Sequence, residues 1–312
     1  MLTVTFLGTS AARPTVERGV SSIALTRGGE TLLLECGEGT QRQMMRYGVG
    51  FTFSEIFISH FHADHFLGVT GLVRTLGLQG REEPLRVYGP KGARRHLGRA
   101  LQLGVERTSF DIEVREVEPG EVLGRDDYDL EVIGVDHGRH AVGFALREHE
   151  RLGRFNPEMA RELGVPEGPL WGRLHRGERV EWEEPGDPPI RRSASPADLV
   201  GAARPGRVVV YSGDTRPCED VVAAAEGADL LIHEATFSEE EKERARETDH
   251  STALEAGQVA LASRVERLVL THLSARYSAA PEVLLEEARR VFPETAVARD
   301  GMAIEIPFRD VE

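Results

Sequence analysis

The chain has 312 residues, 40% hydrophobic and 29% charged, the balance of a soluble globular protein with an ample core. No apolar run approaches the ~18 residues of a membrane span, and Cys36 and Cys218 are too few for a disulfide framework. A net charge of −14 argues against a broad nucleic-acid surface; any polyanion site must be local, with bound metal supplying much of its positive charge.

The first residues run straight into a strand pattern without the basic flank of a signal peptide, so a cytoplasmic protein is expected. Thr3–Leu7, Ser22–Thr26 and Thr31–Leu34 read as strands, with Gly28-Gly29 a tight turn between the last two. Gly39–Tyr47 reads as a helix and Ile56–Ile58 as a strand. Directly after that strand stand His60-Phe61-His62-Ala63-Asp64-His65. On a loop at a strand end, these side chains can splay apart and reach two different metal ions. Imidazole with carboxylate suits zinc or another first-row divalent ion. No compositional bias surrounds the cluster, which separates it from a solvated His-rich loop.

Val69–Leu78 reads as a helix, Leu85–Tyr88 as a strand and Ala93–Leu103 as a helix. Asp129–Val135 is a strand leading to His137. From about Glu148 to Ser195 the pattern changes: proline, glycine and charge are dense, and periodicity is weak outside Pro157–Leu163, a short helix. This segment reads as an excursion from the core, not a linker between two domains, because the second half supplies further ligands. From Arg207 the β/α pattern returns. Val208–Tyr211 ends in Asp214, Leu230–His233 in Glu234 and Leu268–Thr271 in His272. Ser251–Ala262, with Ser251 as N-cap, and Pro281–Val291 read as helices. Two face-to-face sheets with helices outside are expected.

His60, His62, Asp64, His65, His137, Asp214 and His272 therefore share one kind of address, the end of an apolar strand. Three imidazoles with one carboxylate complete one ion, and two imidazoles with two carboxylates the other, if Asp214 bridges. Two such ions clamp the oxygens of a phosphodiester. His250, just before a helix, reads as a general acid or as a capping-region histidine. Glu234 orients a histidine or is a buried polar partner. His96, His140, His149 and His175 read as surface residues.

His-x-His-x-Asp-His, His137, Ser-Gly-Asp214-Thr and Thr-His272-Leu-Ser-Ala-Arg-Tyr together resemble the metallo-β-lactamase superfamily. Phe6-Leu7-Gly8-Thr9, Glu35–Gln41, Tyr88-Gly89-Pro90, His233-Glu234-Ala235-Thr236-Phe237 and His250-Ser251-Thr252 narrow the resemblance to the short-form ribonuclease Z family, nearly end to end. The resemblance implies an α/β, αββα four-layer metallo-β-lactamase fold spanning 1–312, with a protruding flexible arm at 149–192. Leu163–Gly172 is similar to the arm that grips the tRNA elbow. It implies two Zn2+ per chain, or Mn2+, held by His60, His62 and His137 and by Asp64, His65 and His272, with Asp214 shared.

The activity it implies is endonucleolytic cleavage of precursor tRNA on its 3′ side by a cytoplasmic homodimer. Asp64 would orient or deprotonate the nucleophile and His250 would protonate the leaving 3′-oxygen, giving a 3′-hydroxyl and a 5′-phosphate. One departure stands out. The family's Pro-x-Lys-x-Arg-Asn loop reads Pro14-Thr15-Val16-Glu17-Arg18-Gly19 here, without the Lys and the Asn. The alternatives are a 3′ exonuclease or general phosphodiesterase of the same fold, a small-molecule metallo-hydrolase, and a metal-stabilised binding protein.

Overall fold

The computed structural model describes residues 1–103 and 108–309. In chain order the strands are β1 (Leu2–Gly8), β2 (Ser22–Arg27), β3 (Glu30–Leu34), β4 (Glu55–Phe57), β5 (Leu85–Gly89), β6 (Ile112–Glu116), β7 (Val122–Gly124), β8 (Tyr128–Gly134) and β9 (Val142–Glu148). They continue with β10 (Val180–Glu184), β11 (Ile190–Ala194), β12 (Val208–Tyr211), β13 (Leu230–Glu234), β14 (Leu268–Thr271), β15 (Thr295–Val297) and β16 (Ala303–Glu305). One seven-stranded sheet has the order β16-β1-β2-β3-β4-β5-β6, and a second β15-β14-β13-β12-β9-β8-β7. The strands β3 to β6 run parallel, as do β12 to β15. Within each parallel run the C-terminal strand ends therefore open on one edge, where α/β sheets place ligands.

The helices are α1 (Thr40–Tyr47), α2 (Ala63–Phe66), α3 (Gly68–Leu78), α4 (Ala93–Leu101), α5 (Pro157–Glu162), α6 (Pro169–His175), α7 (Pro196–Leu199), α8 (Glu219–Ala224), α9 (Lys242–Glu247), α10 (Ala253–Ser263) and α11 (Glu282–Arg289). Strand alternation assigns the layers. Phe6, Ile23, Leu25 and Phe57 of the first sheet share one core with Val132, Phe144, Val209 and Ile232 of the second. Phe57 stacks on Tyr88 at 4.7 Å between ring centroids. The alternate residues Leu33, Ile56, Ile58 and Val87 point the other way, onto Met44, Val69, Leu72 and Leu97 of α1, α3 and α4. Val210, Leu231, Leu268 and Leu270 likewise meet Val221, Ala256, Ala260 and Leu284 of α8, α10 and α11. The result is helix, sheet, sheet, helix: the αββα metallo-β-lactamase fold.

Contacts divide the chain into two compact units, Met1–Arg147 with Arg207–Pro307, and Glu148–Gly206 with the residues from Phe308. The second unit has its own small core: Ala160, Val165, Leu174, Val180, Ala194 and Leu199, flanked by Phe155, Leu170, Trp171 and Trp182. The β10–β11 hairpin pairs Val180 with Ala194, and the Trp171 indole N–H donates to Val165 O at 3.1 Å. The unit continues past Arg192 through α7 to Gly206 and closes on itself where Arg151 and Arg204 exchange backbone hydrogen bonds of 2.8 and 2.9 Å.

Some local readings change. The N-cap of α10 is Thr252, not Ser251. Thr252 Oγ1 accepts from the Glu255 amide at 3.2 Å, and Glu255 Oε2 accepts from the Thr252 amide at 3.0 Å. This capping box is worth about 1 kcal/mol. Ser251 Oγ instead donates to Thr215 O at 2.6 Å. Strand β9 carries no alternation for sequence to reveal, because Val142–Leu146 is buried on both faces.

Candidate metal centre

The loop after β4 turns into α2, and α3 follows at once; Gly68 lets the chain press on Gly37, where a Cβ would lie 1.8 Å from its carbonyl oxygen. This close approach brings Asp64 and His65 onto the sheet edge. After β12, Gly213 at φ +62 turns the chain so that Asp214 faces the same space. A Cβ there would crowd Val142 O at 2.9 Å. His272 follows β14 and His137 follows β8. All seven ligand candidates named from sequence, and His250 with them, come together.

Asp214 Oδ2 is the centre of the cluster. It lies 3.3 Å from His65 Nε2, 3.4 Å from His272 Nε2, 3.6 Å from His60 Nε2 and 4.0 Å from His137 Nε2. Asp64 Oδ2 is 3.2 Å from His272 Nε2 and 3.4 Å from His65 Nε2. Two groups emerge, His60-His62-His137-Asp214 and Asp64-His65-His272, each with donor atoms mutually within 4.8 Å; Asp214-His250-His272 forms a third combination. Asp214 is 2% exposed and its Oδ1 has no hydrogen-bond partner. A buried carboxylate left in this way needs a cation.

A backbone bond fixes the tautomer of His137. His137 Nδ1 donates to Asp249 O at 2.7 Å, because a carbonyl only accepts; His137 Nε2 is then a bare lone pair, 3.3 Å from His62 Nδ1. His60 Nε2 and His62 Nδ1 approach to 2.9 Å. Ring nitrogens aimed at one point in this way are the donor set of a metal site. Burial holds His60 well below the ordinary imidazole range, with neighbouring histidines adding to it, and so keeps it a neutral ligand. Burial disfavours charge on His65 as well, yet Asp214, Glu35 and Asp64 outweigh it and favour positive charge there.

Several groups at the site were not singled out from sequence. Ala12, at φ 59, donates its amide to Asp64 Oδ2 at 2.7 Å. Glu35 is fully buried after β3, accepts from the Ser59 amide at 3.2 Å and lies 3.4 Å from His65 Nδ1. Thr236 Oγ1 donates to Glu234 Oε2 at 2.6 Å and accepts from His272 Nδ1 at 2.9 Å. Glu234 Oε1 accepts from His250 Nδ1 at 2.7 Å. Glu234 is thus an orienting carboxylate, joining His250 directly, and His272 through Thr236, in one buried chain. Burial disfavours charge on His250, but the Glu234 carboxylate prevails and raises its pKa to about 9. Ala12, Glu35, Asp249 and His272 all hold positive φ, strain that collects at functional sites. That backbone signal is invisible in residue identity.

The remaining histidines separate from the cluster. His140 and His149 are exposed, and His175 donates to Gly153 O at 2.9 Å. His96 is half-buried, stacked on Phe61 at 5.0 Å between centroids. His233 is fully buried, donating to Glu234 O at 2.8 Å.

Comparison with known proteins agrees with this geometry. Family profiles described as anti-Pycsar protein Apyc1 and as beta-lactamase superfamily domain match residues 2–151 and 187–273. The chain is 56% identical over 307 residues to a protein of Gemmatimonas aurantiaca named ribonuclease Z, covering 98% of this chain and 96% of that one. It is 52% identical to the ribonuclease Z of Myxococcus xanthus over 311 residues, with 99% of both chains covered. Its structure is similar to that of human tRNase Z, short form, with a TM-score of 0.70 and 28% identity over 98% of this chain and 100% of that one. Near-complete coverage at such identity, around a complete donor set, places the chain in the ribonuclease Z family, within the metallo-β-lactamase superfamily.

Proposed function

We propose that the chain is a metal-dependent endoribonuclease that removes the 3′ trailer of precursor tRNA, leaving a 3′-hydroxyl on the tRNA and a 5′-phosphate on the trailer. The observation that carries the chemistry is the convergence of four imidazole Nε2 atoms on one oxygen of Asp214. The choice of RNA rests on membership in the ribonuclease Z family.

His60, His62 and His137 would hold one zinc ion, Asp64, His65 and His272 the other, with Asp214 shared; manganese fits the same donors. Bound metal would supply positive charge against the scissile phosphate and activate the attacking water. Asp64, itself fixed by the Ala12 amide, orients that water and takes its proton. Glu234 holds the His250 ring through Nδ1, leaving Nε2 to deliver a proton to the 3′-oxygen as the P–O3′ bond breaks. Thr236 keeps the His272 proton on Nδ1, so that Nε2 remains a donor atom for metal. The Glu148–Gly206 unit contains the arm assigned to 149–192, proposed to grip the body of the tRNA. The reading includes a cytoplasmic homodimer, in keeping with the family; no helix among the described residues is long and apolar enough to cross a membrane.

The test is to incubate the zinc-loaded protein with end-labelled precursor tRNA and map both new ends. One cut next to the mature 3′ end, with a 3′-hydroxyl and an intact 5′-phosphorylated trailer, is expected. Stepwise loss of single nucleotides would replace this reading with an exonuclease. Cleavage of small phosphodiesters alone would replace it with a small-molecule hydrolase.

A further inference from the structure

In a chain of net charge −14, the stretch Leu85–Leu103 stands apart: it holds Arg86, Lys91, Arg94, Arg95 and Arg99 and no acidic residue. Arg86 pairs with Glu55 and Glu113. The other four are on or just before α4, which buries Ala93, Leu97 and Ala100 and leaves Lys91, Arg94, Arg95 and Arg99 exposed. Arg95 and Arg99, four residues apart, line one side of the helix, and Lys91 lies just ahead of its start. Among the described residues, none of these four is held in an ion pair. Of the acids beside Lys91, Glu118 and Glu121 line the same hollow, and Glu116 is turned onto the helix start, where Oε1 accepts from the Gly92 and Arg94 amides at 3.0 and 3.2 Å. The positive charge on this face is therefore side-chain charge open to solvent.

This strip begins at the metal centre. Phe61 lies between His60 and His62 in the chain, and its ring stacks on His96 of α4 at 5.0 Å with only 12° between planes. Both rings are half-buried, and Phe61 also meets Phe66 edge-on at 5.3 Å. Arg95 donates to His96 Nε2 at 3.1 Å, tying the aromatic pair to the cationic row. Cationic side chains beside an aromatic platform are the means by which proteins hold unpaired nucleic acid, phosphates on the charges and bases on the rings. A duplex keeps its bases stacked on one another and offers no free face to such a platform. In a precursor tRNA the segment beyond the cut is the single-stranded part.

We propose that the exposed face of α4, with the Phe61–His96 stack, binds the single-stranded 3′ trailer of the substrate. This rests on the precursor-tRNA reading above and names which part of the substrate this surface takes. It gives the enzyme a hold on the leaving strand separate from its hold on the tRNA body.

The test compares two precursors with the same tRNA body, one with a trailer of one nucleotide and one with a long unstructured trailer. In the variant Arg94→Gln/Arg95→Gln/Arg99→Gln, kcat/KM should fall about 10-fold for the long trailer and less than about 2-fold for the short one. The long-trailer binding slope against log salt should drop by about 2, the loss of three single-strand phosphate contacts. His96→Ala should weaken long-trailer binding about 5-fold and leave the salt slope unchanged, as for a stacking contact. Unchanged metal content and thermal melting establish that both variants fold. Equal losses on both precursors, or no loss on the long one, overturn the proposal. If the unmodified protein cleaves neither precursor, the nuclease reading beneath it fails instead.

Discussion

The two units of this chain differ in the charged groups they bury. In the larger unit, acids and imidazoles are driven inside: His65 and Glu234 are fully buried and Asp214 nearly so, at the edge of two sheets. In the smaller unit, charges stay on the surface as pairs such as Arg161–Glu167, Arg173–Glu178 and Arg191–Glu183, all substantially exposed. Exposed pairs contribute about 0–1 kcal/mol each. Buried ones cannot be left without a partner. The larger unit therefore holds a buried polar cluster for chemistry, which needs fixed geometry. The smaller unit, with a modest apolar core, presents surface.

The sharpest way to break this division is to remove a buried donor. Asp214→Ala or His62→Ala should abolish hydrolysis, and elemental analysis should find fewer than the about two divalent ions expected per intact chain. Full activity after chelator stripping would show that the buried cluster is structural. Next in size is the proton donor. His250→Ala should retain both ions yet lower kcat by roughly 10²–10⁴-fold. If the metal content falls with activity, the Asp214-His250-His272 combination describes a ligand instead.

Thr236→Val tests the buried chain behind the ligands. It deprives His272 Nδ1 of its acceptor and Glu234 Oε2 of a donor, so metal affinity read by chelator competition should fall about 10–100-fold. Thr236→Ser should restore it, and an unchanged affinity in Thr236→Val would remove the hydroxyl from the account. The smallest expected effect is purely structural. Thr252→Ala, which removes the α10 cap, should cost about 1 kcal/mol in denaturant unfolding without altering metal content. A change in metal content would tie the helix start to the site.

The ligand set was legible because each donor follows an apolar strand, and strand ends are what sequence marks best. The layered fold was legible for a related reason, since short continuous apolar runs such as Ile56–Ile58 mark strands buried on both faces. What stayed hidden depends on distant packing. Glu35 gains its meaning only where the sheets bring it beside His65, and Thr236 only where β13 and β14 run parallel. The small core of the second unit escaped because its buried residues, from Ala160 to Leu199, come singly between turns. Ser251 and Thr252 are equally good caps by residue type. The choice fell to Thr252 because Glu255 sits three residues on and Ser251 is drawn to Thr215.

The central claim is that chemistry belongs to the larger unit and the grip on the tRNA body to the smaller. Arg151 and Arg204 are already paired through their backbones, so residues 152–203 can be replaced by a short Gly/Ser turn with little demand on the rest of the fold. The measurement is the hydrolysis of a small chromogenic phosphodiester and of precursor tRNA by this shortened, metal-loaded protein. The account predicts that diester hydrolysis and metal content persist, while precursor binding weakens roughly 10-fold or more and loses part of its salt dependence. A shortened protein that binds and cleaves precursor tRNA like the intact chain would contradict it.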